Sequence, residues 1–316
     1  MKNVSAEQLE KLLDYPSVVA CLKEAFCGDY TVPNRHHHDF KNPPMGVDST
    51  LLLMPAWEAE GFLGVKLIVV SPENSQFDLP AIQGLYFLFD KLKGTPLAQV
   101  EAKTLTGIRT AAASALASKF LSRENSERLL MVGTGALAPR LIHAHCSVRP
   151  IKEVVIWGRN FAKAEKIAAS MQLEGMNVLA TADLAKATTQ ADIISVATLS
   201  EEPLIFGENL RTGQHIDLVG SFKPNMREAD DEVIKRAILY ADVKEMATKE
   251  SGDLAIPLEK GLIQMEDIKD DLFGLSRKKV LARQTDSEIT LFKSVGHALE
   301  DLAAAKLAYD RSLELP

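Results

Sequence analysis

The chain has 316 residues, 46% of them hydrophobic and 25% charged, with a formal net charge of -7. That length predicts about two domains of an ordinary globular protein, and the acidic balance argues against nucleic acid or an anionic membrane surface as partner. The N-terminal MKNVSAEQLE has no apolar targeting core and no apolar run approaches the length of a membrane span, so the expectation is a cytoplasmic protein without membrane association.

In chain order, two short helical segments lead in, the second opening at Pro16-Ser17 with Val18, Val19, Leu22 and Phe26 behind it. Cys21, Cys27 and Cys146 form no CxxC pair and leave one unpaired, which reads as buried structural thiols in a reducing compartment. His36-His37-His38 reads as a solvated or hydrogen-bonded loop, because adjacent histidines cannot all face one ion, and no metal site is predicted. Strand-like runs follow at Ser49 to Met54, Phe62 to Val70, Leu85 to Phe89 and Leu97 to Ala102, with Lys93-Gly94-Thr95-Pro96 as a hairpin turn. An Ala-rich helix is expected from Thr110 to Leu121.

The most informative stretch comes next. The apolar run Leu129 to Val132 leads into Gly133-Thr134-Gly135-Ala136-Leu137-Ala138, then a helix-compatible segment, then a second apolar strand from Val154 to Trp157. Strand, Gly-rich turn, helix and strand make the first unit of a dinucleotide-binding fold. Gly133 allows the tight turn, Gly135 lets a pyrophosphate approach the backbone, and Ala138 permits close helix–strand packing. The phosphates would sit at the helix N-terminus, where free N–H groups favour an anion. Past the second strand, Trp157-Gly158-Arg159-Asn160 offers an arginine where NAD-preferring sites place a carboxylate. A guanidinium suits a 2′-phosphate, so NADPH is expected over NADH, which would bind more weakly.

The alternation continues with a helix from Phe161 to Met171, strands at Asn177 to Ala180, Asp192 to Ala197, Ile216 to Val219 and Ile238 to Tyr240, and a short helix at Leu184 to Thr188. Apolar strands alternating with helices mean a parallel sheet covered on both faces. The expected fold class is therefore α/β. A Rossmann doubly wound parallel sheet occupies residues 123–290, and a second α+β domain is built from 1–122 and 291–316. Val295, Ala298, Leu299 and Leu302 recur at helical spacing and predict a final helix returning to the first domain. Exposed strands in that domain point to an oligomer interface.

Three cations stand out there. Lys66 interrupts the apolar strand Gly64-Val65-Lys66-Leu67-Ile68-Val69-Val70; either it points to solvent, or it waits unpaired for a negatively charged ligand. Arg109 lies in Thr106-Gly107-Ile108-Arg109-Thr110. With Thr106 as N-cap it would add its fork to the positive end of the helix dipole. Arg35 precedes the histidine run.

Val65-Lys66, Arg109-Thr110-Ala111-Ala112-Ala113-Ser114-Ala115, the GTGALA turn, Arg227-Glu228-Ala229-Asp230-Asp231-Glu232, Glu250-Ser251-Gly252-Asp253 and Phe292-Lys293-Ser294-Val295-Gly296 together resemble the ornithine cyclodeaminase/mu-crystallin family. The resemblance spans nearly the whole chain. It implies a homodimer joined through the non-Rossmann domain, NAD(P) bound across the inter-domain cleft, and a substrate α-carboxylate held by Arg35, Lys66 and Arg109. It also implies cofactor contacts from Arg109, Thr110 and Thr198, beside Gly133, Thr134, Gly135, Ala136, Leu137, Gly158, Arg159 and Asn160.

Two departures bear on activity. Cyclodeaminases carry an aspartate in the loop after the fifth Rossmann strand, where this chain has Phe222, and a glutamate just ahead of the Met-Pro pair, where it has Leu52. Neither replacement carries protons, which disfavours ornithine cyclisation. What remains resembles the ketimine reductase branch, in particular the bacterial reductases of Δ1-pyrroline-2-carboxylate and Δ1-piperideine-2-carboxylate. The expected reaction is hydride transfer to C2 of a small cyclic imino acid, with Lys66 or a water as proton source. The alternatives are an alanine dehydrogenase-like or ornithine cyclodeaminase activity, and a non-catalytic NADPH-dependent binding protein.

Overall fold

The computed structural model describes residues 1–171, 173–278 and 282–314. The chain divides into two compact units, Met1–Thr110 with the segment from His297 onward, and Ala111–Gly296.

The first unit opens with β1 (Lys2–Val4), α1 (Ala6–Leu12) and α2 (Tyr15–Cys27). Ser5 and Gln8 close a capping box on α1, and Asp14 caps α2 with Pro16 in its first turn. Then come β2 (Tyr30–Thr31), β3 (His36–Phe40), β4 (Ser49–Glu58), β5 (Phe62–Val70), β6 (Ile82–Asp90), β7 (Pro96–Glu101) and α3 (Ala102–Leu121), whose last half belongs to the second unit. The sheet order is β1-β7-β6-β5-β4-β2, with β3 also paired to β4. Period-two burial along β5 puts Gly64, Lys66 and Ile68 on the covered face, and register sets Lys66 between Met54 on β4 and Tyr86 on β6.

The second unit contains β8 (Arg128–Val132), α4 (Ala138–Cys146), β9 (Glu153–Trp157), α5 (Phe161–Ser170), β10 (Asn177–Thr181), α6 (Leu184–Gln190), β11 (Ile193–Val196) and β12 (His215–Leu218). It continues with α7 (Asp231–Arg236), β13 (Ile238–Ala241), α8 (Lys244–Glu250), α9 (Gly252–Glu259), β14 (Ile268–Asp271), α10 (Leu272–Ser276) and β15 (Thr290–Lys293). Its eight strands run in the order β10-β9-β8-β11-β12-β15-β13-β14, every pairing parallel. The order reverses between β8 and β11, and ligands of doubly wound sheets bind beyond the strand ends at such a switch point. Leu130, Val132, Ile194, Val196, Ile216 and Leu218, all buried, form the centre of the core. The final element, α11 (Ala298–Leu313), returns to the first unit and packs on β4 and β5.

Several expectations are corrected. His36-His37-His38 forms the exposed strand β3 rather than a loop, because its backbone pairs antiparallel with Leu51 to Leu53. Cys27 is exposed and Cys21 and Cys146 are half-buried, none of the three in a disulfide, so they are not buried core thiols. The Ala-rich helix begins at Ala102, one residue after β7, because the Glu101 carboxylate accepts the N–H groups of Lys103 (2.9 Å) and Thr104 (2.7 Å). Thr106 is therefore inside the helix and is not its N-cap. No helix among the described residues is long and apolar enough to cross a membrane.

Candidate active site

The second unit holds an open cavity of about 390 Å³ at the switch point. Its floor is the turn after β8. Gly133 has φ 124°, a conformation side chains rarely adopt, and a Cβ there would stand 2.4 Å from the Ala197 carbonyl oxygen. A Cβ on Gly135 would meet nothing within 4 Å, so that backbone faces open space. Beyond it α4 starts at Ala138 without a side-chain cap. The Ala138 N–H already goes to the Gly135 carbonyl at 3.1 Å and Pro139 carries none, so an anion here would be favoured by the open Gly135 turn and the positive end of the α4 dipole rather than by free helix N–H groups. These features fit a dinucleotide pyrophosphate.

One wall is built by the residues after β9. Gly158 is required by contact, since a Cβ there would lie 2.6 Å from Thr134 Cγ2. Exposed Arg159 lines the cavity, as does Asn160, whose Oδ1 also accepts the Lys163 N–H at 3.2 Å and caps α5. The opposite wall is Ala197 to Ser200 after β11, including Thr198. The cavity therefore gathers Gly133, Thr134, Gly135, Gly158, Arg159, Asn160 and Thr198, whereas Ala136 and Leu137 carry the turn into α4 without lining it.

Beneath the Thr198 wall sits a buried carboxylate to which sequence reasoning gave no role. Glu228 Oε1 accepts the N–H and the hydroxyl of Thr198 (2.8 and 2.9 Å), and Oε2 accepts the N–H of Gly220 (2.7 Å) and Ser221 (3.2 Å). Lys293, at the end of β15, lies 3.8 Å from Glu228 and 3.2 Å from Asp253. Burial, with Asp253 nearby, pushes the Glu228 carboxyl up to about 7 against the pull of Lys293 and the Thr198 hydrogen bonds.

The predicted carboxylate clamp lies in the first unit. Lys66 is 1% exposed and Arg109 4%, and neither is unpaired. Lys66 Nζ is 2.7 Å from Asp301 Oδ2 and 3.5 Å from Thr106 Oγ1. Arg109 donates Nε–H to Asp301 Oδ1 at 2.8 Å and Nη1–H to Glu300 Oε2 at 2.7 Å. Both carboxylates come from the first turn of α11, where the helix dipole favours them. This overturns both alternatives for Lys66: it neither reaches solvent nor waits unpaired, because its own chain supplies the anion. Two buried cations meet two buried carboxylates, a locally neutral quartet.

Burial drags the Lys66 ammonium down to about 8; Asp301 opposes the shift, and Arg109 and Arg35 reinforce it. Half-buried Arg35, just before β3, thus shares an electrostatic neighbourhood with the other two predicted clamp residues. Tyr86, across the strand pair from Lys66, is fully buried with a hydroxyl that has no hydrogen-bond partner among the described residues. That hydroxyl passes so close to β5 that a Cβ on Gly64 would lie 1.9 Å from it. Thr110 follows Arg109 in α3 and is buried. The two positions that depart from the cyclodeaminase pattern are apolar here: Phe222 is exposed in the loop after β12, and Leu52 sits in β4 opposite Ile68.

The ornithine cyclodeaminase/mu-crystallin family model matches residues 6–315, and the chain belongs to that family. It is 43% identical to an uncharacterised protein of Schizosaccharomyces pombe over 97% of this chain and 96% of the other. It is 36% identical to a Delta(1)-pyrroline-2-carboxylate reductase of Colwellia psychrerythraea, over 96% of this chain and 97% of that one. Among solved structures, the Thermococcus litoralis Delta(1)-pyrroline-2-carboxylate reductase in complex with NADH and L-proline superposes with a TM-score of 0.91 at 34% identity, covering 99% of this chain and 98% of its own. An archaeal alanine dehydrogenase dimer with bound NAD also gives 0.91, at 28% identity and 99% and 96% coverage.

Proposed function

We propose that this protein is an NADPH-dependent reductase of cyclic imino acids, converting Δ1-pyrroline-2-carboxylate to L-proline and Δ1-piperideine-2-carboxylate to L-pipecolate. The class is that of its curated relatives, a nicotinamide-dependent oxidoreductase acting on a CH–NH bond. The observation that carries the reading is Lys66: a fully buried lysine, brought down to about 8 beside Arg109 and Asp301, in a chain with no proton-carrying side chain at Phe222 or Leu52.

A bound dihydronicotinamide supplies hydride. The residues of this chain bind and protonate. Arg109, held by Glu300 and Asp301, and Arg35 fix the α-carboxylate so that C2 of the ring is presented for attack, an orientation effect worth at most about 7–11 kcal/mol. Lys66 would hold the proton that the ring nitrogen takes up when C=N becomes CH–NH, and would be left neutral. An ammonium near 8 suits this task, because a general acid works best with a pKa close to the operating pH. The Gly133–Gly135 turn and Thr198 would hold the cofactor, and Arg159 would select the 2′-phosphate. The protein works as a homodimer in the cytoplasm, joined through its first unit.

The test is NADPH oxidation with a panel of the two cyclic imines, pyruvate plus ammonia, and ornithine. Turnover is expected with the cyclic imines. Preference for pyruvate plus ammonia would make the chain an alanine dehydrogenase, release of ammonia from ornithine a cyclodeaminase, and tight cofactor binding with no turnover a ligand-binding protein.

A further inference from the structure

We propose that Glu228 is a positioning residue: its carboxylate ties the loop after β11 to the loop after β12 and so shapes the nicotinamide-side wall of the cavity. The proposal rests on the reading of that cavity as a nicotinamide-dinucleotide site.

The side is fixed by topology. In a doubly wound sheet the adenosine ribose lies beyond the second strand, here β9, next to Arg159. The other half of a dinucleotide then crosses the switch point toward the ends of β11 and β12. The loops at those ends are the two that Glu228 holds. Four donors converge on it, three backbone N–H groups and one hydroxyl, and an ionised carboxylate has about four lone-pair sites to receive them. The contact is close enough to require glycine: a Cβ on Gly220 would stand 2.0 Å from the Thr198 carbonyl oxygen and 2.4 Å from Glu228 Oε1.

The clamp is itself anchored. Asp253 Oδ1 accepts the N–H of Glu228 at 2.7 Å and of Ala229 at 3.2 Å, and the Glu228 carbonyl receives the N–H of Leu204 and Ile205. The charged groups facing the Glu228 carboxylate are Lys293 from β15 and Asp253 from α9. With one cation against two carboxylates, the surplus negative charge is spread over backbone N–H groups. Protonating Glu228 would put an O–H among donors and release part of the wall.

The experiment measures the Kd of NADH by energy transfer from Trp157, which lines the cavity. NADH avoids a 2′-phosphate that would itself titrate. In Glu228→Gln an amide N–H₂ must face backbone donors, so the Kd should rise about tenfold or more with the melting temperature little changed. The wild-type Kd should weaken as the pH falls from 8 to 6, through the Glu228 ionisation near 7, and the variant should lose that dependence. A folded Glu228→Gln protein with wild-type Kd and wild-type pH dependence overturns the proposal. Should that variant not fold, Glu228→Asp keeps the charge but shortens its reach to the two loops; a Kd about fivefold higher supports the clamp, and an unchanged Kd overturns it. A wild-type chain that binds no NADH removes the cofactor reading itself, and the clamp with it.

Discussion

Each unit of the molecule buries a strand lysine against carboxylates borne by a helix or the loop leading to one, and the two arrangements differ in charge balance: the first is even, the second carries a surplus of carboxylate. Lys66 on β5 shares Asp301 with Arg109, and Glu300 completes a balanced quartet of side chains. Lys293 on β15 faces two carboxylates, Glu228 and Asp253, which also take backbone N–H groups. Burial pulls Lys66 down to about 8 against Asp301, with Arg109 adding to the shift, and burial pushes Glu228 up to about 7 against Lys293, with Asp253 adding to it. The first cluster thus holds its two cations fixed by carboxylates of the same chain, with a lysine proton close to release. The second spends its negative charge on main chain and fixes loops. Buried ion pairs gain little net stability over apolar packing, but removing one member is costly, so each cluster should fail in a way that reveals its use.

The largest effect is expected at Arg109. Arg109→Ala removes the cation that Glu300 faces and leaves Asp301 with Lys66 alone, and should lower unfolding free energy by about 3–5 kcal/mol, read as a shift of the urea midpoint, with activity lost as well. A variant with a wild-type midpoint would show that α11 does not depend on the quartet.

Lys66→Met is milder for the fold, because Asp301 keeps its bond to Arg109 and the new side chain is apolar. Its cost should fall on chemistry: a positioned general acid contributes at least about a hundredfold, so kcat should drop by about that factor while KM changes less. In the wild type the donor is protonated below about pH 8 and lost above it, so kcat should decline as pH rises through that value. In the variant this basic limb should vanish. A kcat that stays near wild type with the limb intact would assign the proton to water.

How much of this was legible in the sequence depended on distance along the chain. The Gly133 turn, the strands flanking it and the wall at Gly158 to Asn160 are local, and turn chemistry within a few residues dictates them. The lysine on β5 was visible as a charge in an apolar run. Its partner was not: Asp301 lies far down the chain and reads there as an ordinary acidic first turn of an amphipathic helix. The same distance hid the β15 insertion between β12 and β13, which brings Lys293 to Glu228 and Asp253. Their motifs were visible as family features, but nothing local says that three separate segments meet. The start of α3 was misplaced for a different reason, since the capping side chain, Glu101, belongs to the preceding strand.

The smallest effect concerns the rim rather than either buried cluster. Arg159 is exposed on the cavity wall beyond β9, where solvent screens its charge and limits what it can contribute. A 2′-phosphate accepts charge-assisted hydrogen bonds from a guanidinium, whereas a carboxylate repels it and accepts from a ribose hydroxyl instead. Arg159→Asp should therefore lower the ratio of kcat/KM for NADPH to that for NADH by about tenfold, an effect that weakens as salt is added, and leave the melting temperature unchanged. The Thermococcus litoralis relative carries NADH, so the wild-type ratio is the sharper measurement. If the unmodified protein uses NADH as well as or better than NADPH, Arg159 is a solvated loop residue, and cofactor choice rests with the turn and the Thr198 wall alone.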